Sequence, residues 1–370
     1  MDSCPPAQTW GVERMRAVVK RAARDRIPIS TTFDLTHRCN LRCVHCYVGH
    51  DVSAPAAKAG ELATRDVIRL LEETAAAGCL QVVLSGGEPL LRTDFLEIYS
   101  SARRLGLIVQ VFTNATLVRE SHLDVFAEYP PEKVDVSIYG ATEETCARVT
   151  GVPGSFAQAL RGVHRLLERG IRVGLKSMIL SENLNEIHAI EALAEGLGVS
   201  FRLDPLVTPR LDGDLSPLAL RVEARRGVAL ELGALSRRRH LREFADKRVD
   251  VAVGTRQYAC GAARTSFHVD PQGTMRACVL SREAGFPAVD MGVDAAWRAL
   301  TAATDELKVS DQMKCGSCKL VVVCGYCPTL FALETGSASR NSQYVCELGE
   351  ARAQEIGWTA RTSADVGDTG

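Results

Sequence analysis

Cys39, Cys43 and Cys46 stand in the run CNLRCVHC, a C-x3-C-x2-C spacing that brings three soft thiolates within reach of one inorganic centre. Structural zinc is one reading, with His37 or His45 as the nominal fourth ligand, because such sites close on four protein donors. A four-iron cluster whose fourth iron stays open needs neither histidine, and an open iron is a place for chemistry. A second territory lies far downstream. Cys260, Gly273 and Cys278 read C-x12-G-x4-C; Cys315, Cys318, Cys324 and Cys327 read C-x2-C-x5-C-x2-C; Cys346 follows after a gap. Four thiolates complete one cluster, so seven cysteines serve one closed site and one with three cysteines plus another ligand or an open iron. Zinc is the competing occupant, since C-x2-C pairs alone do not separate it from iron and sulfur. Cys4, Cys79 and Cys146 are dispersed, Cys4 reading as a terminal thiol and Cys79 as core filling.

The cysteine count of 13 in 370 residues is odd, and no uninterrupted apolar stretch of signal-peptide type opens the chain. Disulfide scaffolding explains this poorly, and the expected compartment is the reducing cytoplasm. Charged residues interrupt every apolar run before it reaches the ~20 residues of a membrane span, so no membrane partner is expected. Lys plus Arg number 44 against 45 Asp plus Glu, a formal charge of -1, and no nucleic-acid partner is expected either.

The elements that must position these groups follow a βα rhythm. Strands are expected at Ile29–Leu35, Gln81–Leu84, Ile108–Phe112, Val134–Ile138, Ile171–Met178 and Ser200–Leu203, with helices near 62–77, 94–105, 156–168 and 184–197. The first strand delivers the cysteine loop. Ser85-Gly86-Gly87-Glu88-Pro89 ends the second, where glycines permit close backbone approach and Glu88 reads as an acceptor of charged hydrogen bonds from an ammonium group. Residues 205–219 lack a clean period, and residues 221–248 form a helical connector with nine basic and four acidic residues, read as a solvated face rather than a groove for an acidic peptide. From Cys260 onward, Gly-rich turns and short strands offer too little apolar surface for a large core of their own, and metal is expected to supply the rigidity.

The cysteine loop and the GGEP run together resemble the radical S-adenosylmethionine (SAM) superfamily, whose defining motif is this C-x3-C-x2-C; His45 occupies the position where that family often carries an aromatic residue. The likeness covers about Ile29 to Leu203. It implies an α/β fold, a partial (β/α)6 TIM-like radical SAM barrel followed by a small iron–sulfur-binding SPASM domain. The expected division is a leader at 1–27, the barrel at 28–209, the basic connector at 210–250, the SPASM domain at 251–357 and a tail at 358–370. By the same resemblance, Gly86, Gly87, Glu88 and Pro89 meet the methionine amine of SAM, Ser137 touches its ribose or methionine part, Arg148 pairs its carboxylate, and Thr113 and Asn114 complete the cofactor contacts. Lys176 and Asn183 are further candidates for the cavity wall.

The SPASM extension usually spaces its cysteines C-x9-15-G-x4-C, then C-x2-C-x5-C-x3-C, then a last cysteine; here one residue is missing between Cys324 and Cys327. The resemblance assigns Cys260, Cys278 and Cys327 to a nearer auxiliary cluster and Cys315, Cys318, Cys324 and Cys346 to a farther one. The shortened spacing leaves Cys324 and Cys327 open to exchange, and Asp270 or a substrate thiol is the candidate fourth ligand of the nearer site. The implied cofactors are SAM and three [4Fe-4S] clusters, one binding SAM and two auxiliary. The implied enzyme is a radical SAM maturase that oxidatively modifies or cross-links a ribosomally made peptide or small protein, fed by a low-potential flavodoxin- or ferredoxin-type donor. The short leader leaves no room for a separate precursor-binding domain, so a separate precursor-recognition protein is a further expected partner. An anaerobic sulfatase-maturing enzyme and a small-molecule radical SAM dehydrogenase are the alternatives; a non-enzymatic electron carrier leaves the GGEP run and the barrel rhythm unused.

Overall fold

The computed structural model describes residues 12–49, 58, 60–247, 257–310 and 313–359; Cys4 and parts of the leader, connector and tail lie outside the described residues. Helix α1 (Val12–Asp25) leads into β1 (Ser30–Thr36). Five further strands alternate with helices: α2 (Thr64–Ala76), β2 (Gln81–Gly86), α3 (Phe95–Arg104), β3 (Ile108–Thr113), α4 (Glu120–Glu128), β4 (Lys133–Ser137), α5 (Glu143–Thr150), α6 (Ser155–Glu168), β5 (Val173–Met178), α7 (Ile187–Gly196) and β6 (Ser200–Asp204). All six strands fall within two residues of their expected places. Helices α4 and α5 were not anticipated, because nine and eight residues are too few to show a helical period; α5 owes its start to Thr142, whose hydroxyl accepts from the Thr145 N–H.

Strands β1 to β6 pair in parallel in sequence order, and their alternation sorts side chains between two environments. Val82 and Leu84, Val109 and Val111, Val134 and Val136, and Val173 and Leu175 point outward and are buried with Leu70, Leu71, Ile98, Tyr99, Phe126 and Val163 of the surrounding helices. Each fully buried side chain of this size contributes about 1.5–3 kcal/mol. The intervening residues, including Asp34, Ser85, Phe112, Ser137, Lys176 and Arg202, fall on the other, inner face. A parallel sheet with helices outside and polar groups inside is a partial β/α barrel, with its strand C-termini facing one cavity.

The connector is two helices, α8 (Ala224–Glu231) and α9 (Leu235–Asp246), broken at Leu232–Ala234. Beyond it, β7 (Ser266–Val269) runs parallel to β1, and β8 (Thr274–Arg276) and β9 (Phe286–Pro287) follow antiparallel, so the sheet reads β6-β5-β4-β3-β2-β1-β7-β8-β9. The region thus borrows rigidity from the barrel's sheet, a pairing the sequence reading did not anticipate. After α10 (Ala288–Met291), helix α11 (Val293–Glu306) places Trp297 and Leu300 with Phe267, Val269 and Met275 in the barrel's own hydrophobic core. Trp297 Nε1 donates to Arg26 O at 2.7 Å, and Arg26 pairs with Asp305 at 2.6 Å. The last part, α12 (Val321–Cys324), α13 (Pro328–Thr335) and α14 (Gln343–Glu355), gathers smaller clusters around Cys324, Phe331 and Val345 and around Val228, Leu232 and Leu348. Among the described residues no helix is long and apolar enough to cross a membrane.

Candidate active site

The cysteine loop leaves β1 at a register irregularity between Asp34 and Thr36 and is held from three sides. On the β2 side, the Gly87 N–H donates to Thr36 O at 2.7 Å and the Glu88 N–H to Arg38 O at 2.8 Å. From α5, Thr150 O and Val149 O accept from the Arg42 and Val44 N–H groups at 2.8 and 2.9 Å, and beyond β6 the Leu211 N–H donates to Tyr47 O at 2.8 Å. Glu61 adds a lock that sequence reading missed: it accepts from Thr36 Oγ1 and pairs with Arg38 at 2.9 Å. The GGEP glycines thus face backbone, not ligand alone. A methyl group at Gly86 would sit 2.1 Å from Thr36 O, and one at Gly87 2.3 Å from Arg38 O.

Glu88 differs from the expectation that its carboxylate meets an ammonium group. It is fully buried, its Oε1 accepting from Leu90 N–H at 3.0 Å and Thr113 Oγ1–H at 2.7 Å and its Oε2 from Asn114 N–H at 2.7 Å. Burial lifts this carboxyl to about 7, against the pull of those three donors. Its work is to tie the end of β3 to the GGEP run, while Pro89 opens a short 3-10 turn that Glu88 caps.

Cys39, Cys43 and Cys46 line one cavity of about 460 Å³ together with Ser85, Gly86, Gly87, Thr113, Asn114, Ser137 and Lys176. Asn114 Nδ2–H reaches Asn40 Oδ1 at 3.0 Å and Cys39 Sγ at 3.9 Å, and Asn40 in turn donates to Thr116 Oγ1 at 2.8 Å. Burial pushes the Cys39 thiol up to about 12 and Cys43 well above its usual range, and the other two cysteines' charges add to the rise at Cys43. Two buried thiols this unfavourable as anions, with Cys46 on the same cavity wall, are a donor set that a soft, positively charged centre relieves, so the residues fit an iron–sulfur cluster. Among the described residues no three His, Cys, Asp or Glu converge on a single ion; tetrahedral zinc would hold its sulfurs only about 3.8 Å apart. Nor is His45 turned to such an ion. Burial, aided by Arg210, lowers its imidazole to about 4, and the ring packs edge-on to Tyr139 at 4.4 Å, the role an aromatic residue would take there.

Arg148 is not among the residues lining this cavity. It lies half-exposed on α5 with its guanidinium bound to Glu182 at 2.8 Å, to Thr145 Oγ1 at 3.1 Å and to Glu182 O at 3.0 Å, so the cations that the cavity does present are Arg42, Lys176 and Arg202. Asn183 is a buried turn residue, its amide satisfied by Leu180 N–H, Tyr139 O and Met178 O.

The downstream thiols divide into two neighbourhoods. After burial, the charge of Cys327 raises the Cys260 and Cys278 thiols, and Thr329 Oγ1 lies 3.8 Å from Cys278 Sγ and 3.1 Å from Cys327 Sγ. Burial and then Cys346 and Cys318 push Cys315 to about 11; burial and then Cys315, Cys318 and Cys346 push Cys324 to about 12. Tyr326 stands between the two, its phenol raised by burial and by Cys315, Cys327, Cys260 and Cys324 together. Thr329, two residues past Cys327 at the start of α13, was absent from the sequence reading. Asp270 is occupied elsewhere, accepting from Gln272 and Thr274 N–H and pairing with Arg276 at 3.4 Å.

Residues 33–194 match the model of the Radical SAM superfamily. The chain is 36% identical to the Fe-coproporphyrin III synthase of Methanosarcina barkeri over 47% of this chain and 42% of the relative. It is 28% identical to the mycofactocin maturase MftC of Mycobacterium ulcerans over 79% of this chain and 80% of the relative. The crystal structure of Streptococcus suis SuiB bound to its precursor peptide SuiA superposes with a TM-score of 0.68 at 16% identity, over 90% of this chain and 80% of that one, a likeness of fold. The chain spans about half the length, 42% to 50%, of the first curated relatives it matches. Residues 33–194 form a radical SAM domain, the chain has the fold of a radical SAM enzyme, and its C-terminal region resembles the SPASM-type extensions of peptide maturases.

Proposed function

We propose that this chain is a peptide maturase that abstracts hydrogen from a ribosomally made peptide, by way of SAM cleavage, and installs a cross-link or another oxidative modification. The observation carrying the peptide reading is the extent of the likeness to the mycofactocin maturase: 79% of the chain is a span that must run well past the barrel wherever it starts. The likeness to the Fe-coproporphyrin III synthase takes in only 47% of the chain, but its higher identity makes a small molecule the second reading.

Cys39, Cys43 and Cys46 would hold a [4Fe-4S] cluster, which would supply the electron for cleavage of SAM to methionine and a 5'-deoxyadenosyl radical. The chain's own part is positional. Gly86 and Gly87 hold the cysteine loop against β2, Asn114 and Asn40 hold Cys39, and Ser85, Thr113 and Ser137 offer polar atoms to the methionine and ribose ends. Leu41, Phe112, Met178, Leu206, Val207 and Leu280 make much of the remaining wall apolar, which keeps water from a group that must meet one C–H bond first. In this reading Cys260, Cys278 and Cys327 hold the nearer auxiliary cluster and Cys315, Cys318, Cys324 and Cys346 the farther one, with a low-potential flavodoxin- or ferredoxin-type protein as electron donor.

The test is anaerobic reconstitution with iron and sulfide, then incubation with SAM, dithionite and any short peptide encoded beside this chain, with liquid chromatography for 5'-deoxyadenosine and mass spectrometry of the peptide. Formation of 5'-deoxyadenosine with loss of two hydrogens from the peptide is expected. An unmodified peptide, with modification of an iron porphyrin supplied in a parallel incubation, would replace the leading reading with the second.

A further inference from the structure

Lys176 on β5 and Arg202 on β6 are direct partners in the parallel register, and both line the cavity. Like charges facing each other on neighbouring strands repel, so the arrangement costs stability unless something else is gained. Among the described residues neither cation has an ion-pair partner. The nearby carboxylates are already used: Asp135 is held by Lys133 Nζ at 2.8 Å, Glu88 accepts its three hydrogen bonds, and Asp204 Oδ1 takes the Leu206 N–H at 2.9 Å. What steadies Lys176 is an aromatic face, its Nζ lying 3.4 Å above the centre of the Phe112 ring. Burial lowers the ammonium to about 7; Arg202 and Lys133 add to the fall, and Asp135 and Glu88 oppose it. Asp204 also lines the cavity, but among the described residues no ion pair ties it to either cation, so a half-buried lysine and an exposed arginine turned into one cavity without an ion-pair partner are an incomplete anion site.

We propose that Lys176 and Arg202 form a subsite for a carboxylate of the substrate, on the wall of the cavity four and five strands away from β1 and its cysteine loop. The proposal rests on reading this cavity as the place where SAM and substrate meet. Both cations are strand residues, which makes the subsite rigid, and the guanidinium fork with a neighbouring ammonium suits a planar carboxylate with two acceptor oxygens. Methionine, whose own end is expected beside β2 and the cysteine loop, has a carboxylate too, and the experiment separates the two sources.

Reconstituted protein and its Arg202→Gln, Lys176→Met and doubly substituted forms are titrated anaerobically with SAM, and then, with SAM present, with a fluorescent pentapeptide carrying one central glutamate and with its glutamine counterpart. Arg202 is exposed, so Arg202→Gln leaves the fold unstressed; Lys176→Arg keeps the charge. The wild-type protein is expected to bind the glutamate peptide about tenfold or more tightly than the glutamine peptide, the strength of one charge-assisted hydrogen bond. Arg202→Gln and the double substitution are expected to erase that preference, Lys176→Arg to keep most of it, and SAM affinity to stay within about twofold. Equal binding of the two peptides by the wild type overturns the proposal. A loss of SAM affinity with the peptide preference intact assigns the cations to SAM and overturns it as well. Binding needs no turnover, so failure of the maturase reading is seen separately, as absence of 5'-deoxyadenosine.

Discussion

Replacing Gly87 by Ala tests whether the GGEP glycines serve the cysteine loop. Gly87 does not have a left-handed φ, so an L-residue suits its backbone; the objection is steric, with the new Cβ 2.3 Å from Arg38 O and 2.6 Å from His37 O. Real Cβ atoms do not come within 3.0 Å of such an oxygen, so the strands must part by at least 0.7 Å, the difference between 3.0 and 2.3. The Gly87-to-Thr36 and Glu88-to-Arg38 bonds, now 2.7 and 2.8 Å, would open to 3.4 and 3.5 Å. That is past the range in which an N–H···O bond holds, and each lost bond costs about 0.5–1.5 kcal/mol, together about 1–3 kcal/mol. For a unit of this size the melting temperature should fall by about 1–4 °C. The larger effect is on chemistry, because Cys39 follows directly on Arg38, the acceptor of the second bond. Reconstituted Gly87→Ala is expected to lose one cluster's share of iron and most SAM cleavage while retaining the iron of the C-terminal thiols. Iron, sulfide and 5'-deoxyadenosine measured on the same sample check this. Wild-type melting together with wild-type cleavage in Gly87→Ala would refute the clamp argument.

The other predictions concern neighbouring groups. In Glu88→Gln either amide orientation turns an N–H against a buried backbone N–H, that of Leu90 or Asn114, at a cost of about 1–3 kcal/mol. Because the folded Glu88 carboxyl sits at about 7, above its usual 4.5, its contribution is complete below pH 4.5 and is lost as pH rises through 7. The melting-temperature gap between wild type and Glu88→Gln should therefore narrow from pH 5 to pH 8, and a widening gap contradicts the buried, proton-holding carboxyl. Changing Cys39, Cys43 and Cys46 together to Ala should abolish 5'-deoxyadenosine and leave the remaining iron in place; continued cleavage would sink the assignment of the radical-generating cluster. Thr329→Val, nearly isosteric at a buried position, should cost about 1 kcal/mol and alter the electron paramagnetic resonance signal of the C-terminal centre without changing that of the SAM-binding one. Unchanged spectra would remove Thr329 from that site.

Local features were the legible ones. The C-x3-C-x2-C spacing, the run of short apolar segments that became β1 to β6, and the paired glycines at the end of β2 are all set by neighbours within a few residues, and each took the place expected of it. Side-chain destination was much less legible. Glu88 and Arg148 have the right chemistry for an ammonium and a carboxylate, but Glu88 is drawn inward by the N–H groups of Leu90 and Asn114 and the Thr113 hydroxyl, and Arg148 is held by Glu182, 34 residues away.

By itself, then, the amino-acid sequence determined the chemistry available to this protein, three clustered thiols on a strand-end loop and seven more downstream, and the parallel strands that carry the first set. Only the tertiary structure decided how those groups are shared. It joined β7 to β1 so that the C-terminal region rests on the barrel's core, set Cys327 beside Cys260 and Cys278 while Cys324 went to Cys315, Cys318 and Cys346, and turned Lys176 and Arg202 into one cavity. The reason is physical. Spacing constrains the reach of a chain over a few residues, whereas strand pairing across more than 200 residues and the burial of a thiol, a carboxylate or a guanidinium depend on which surfaces the folded chain brings together.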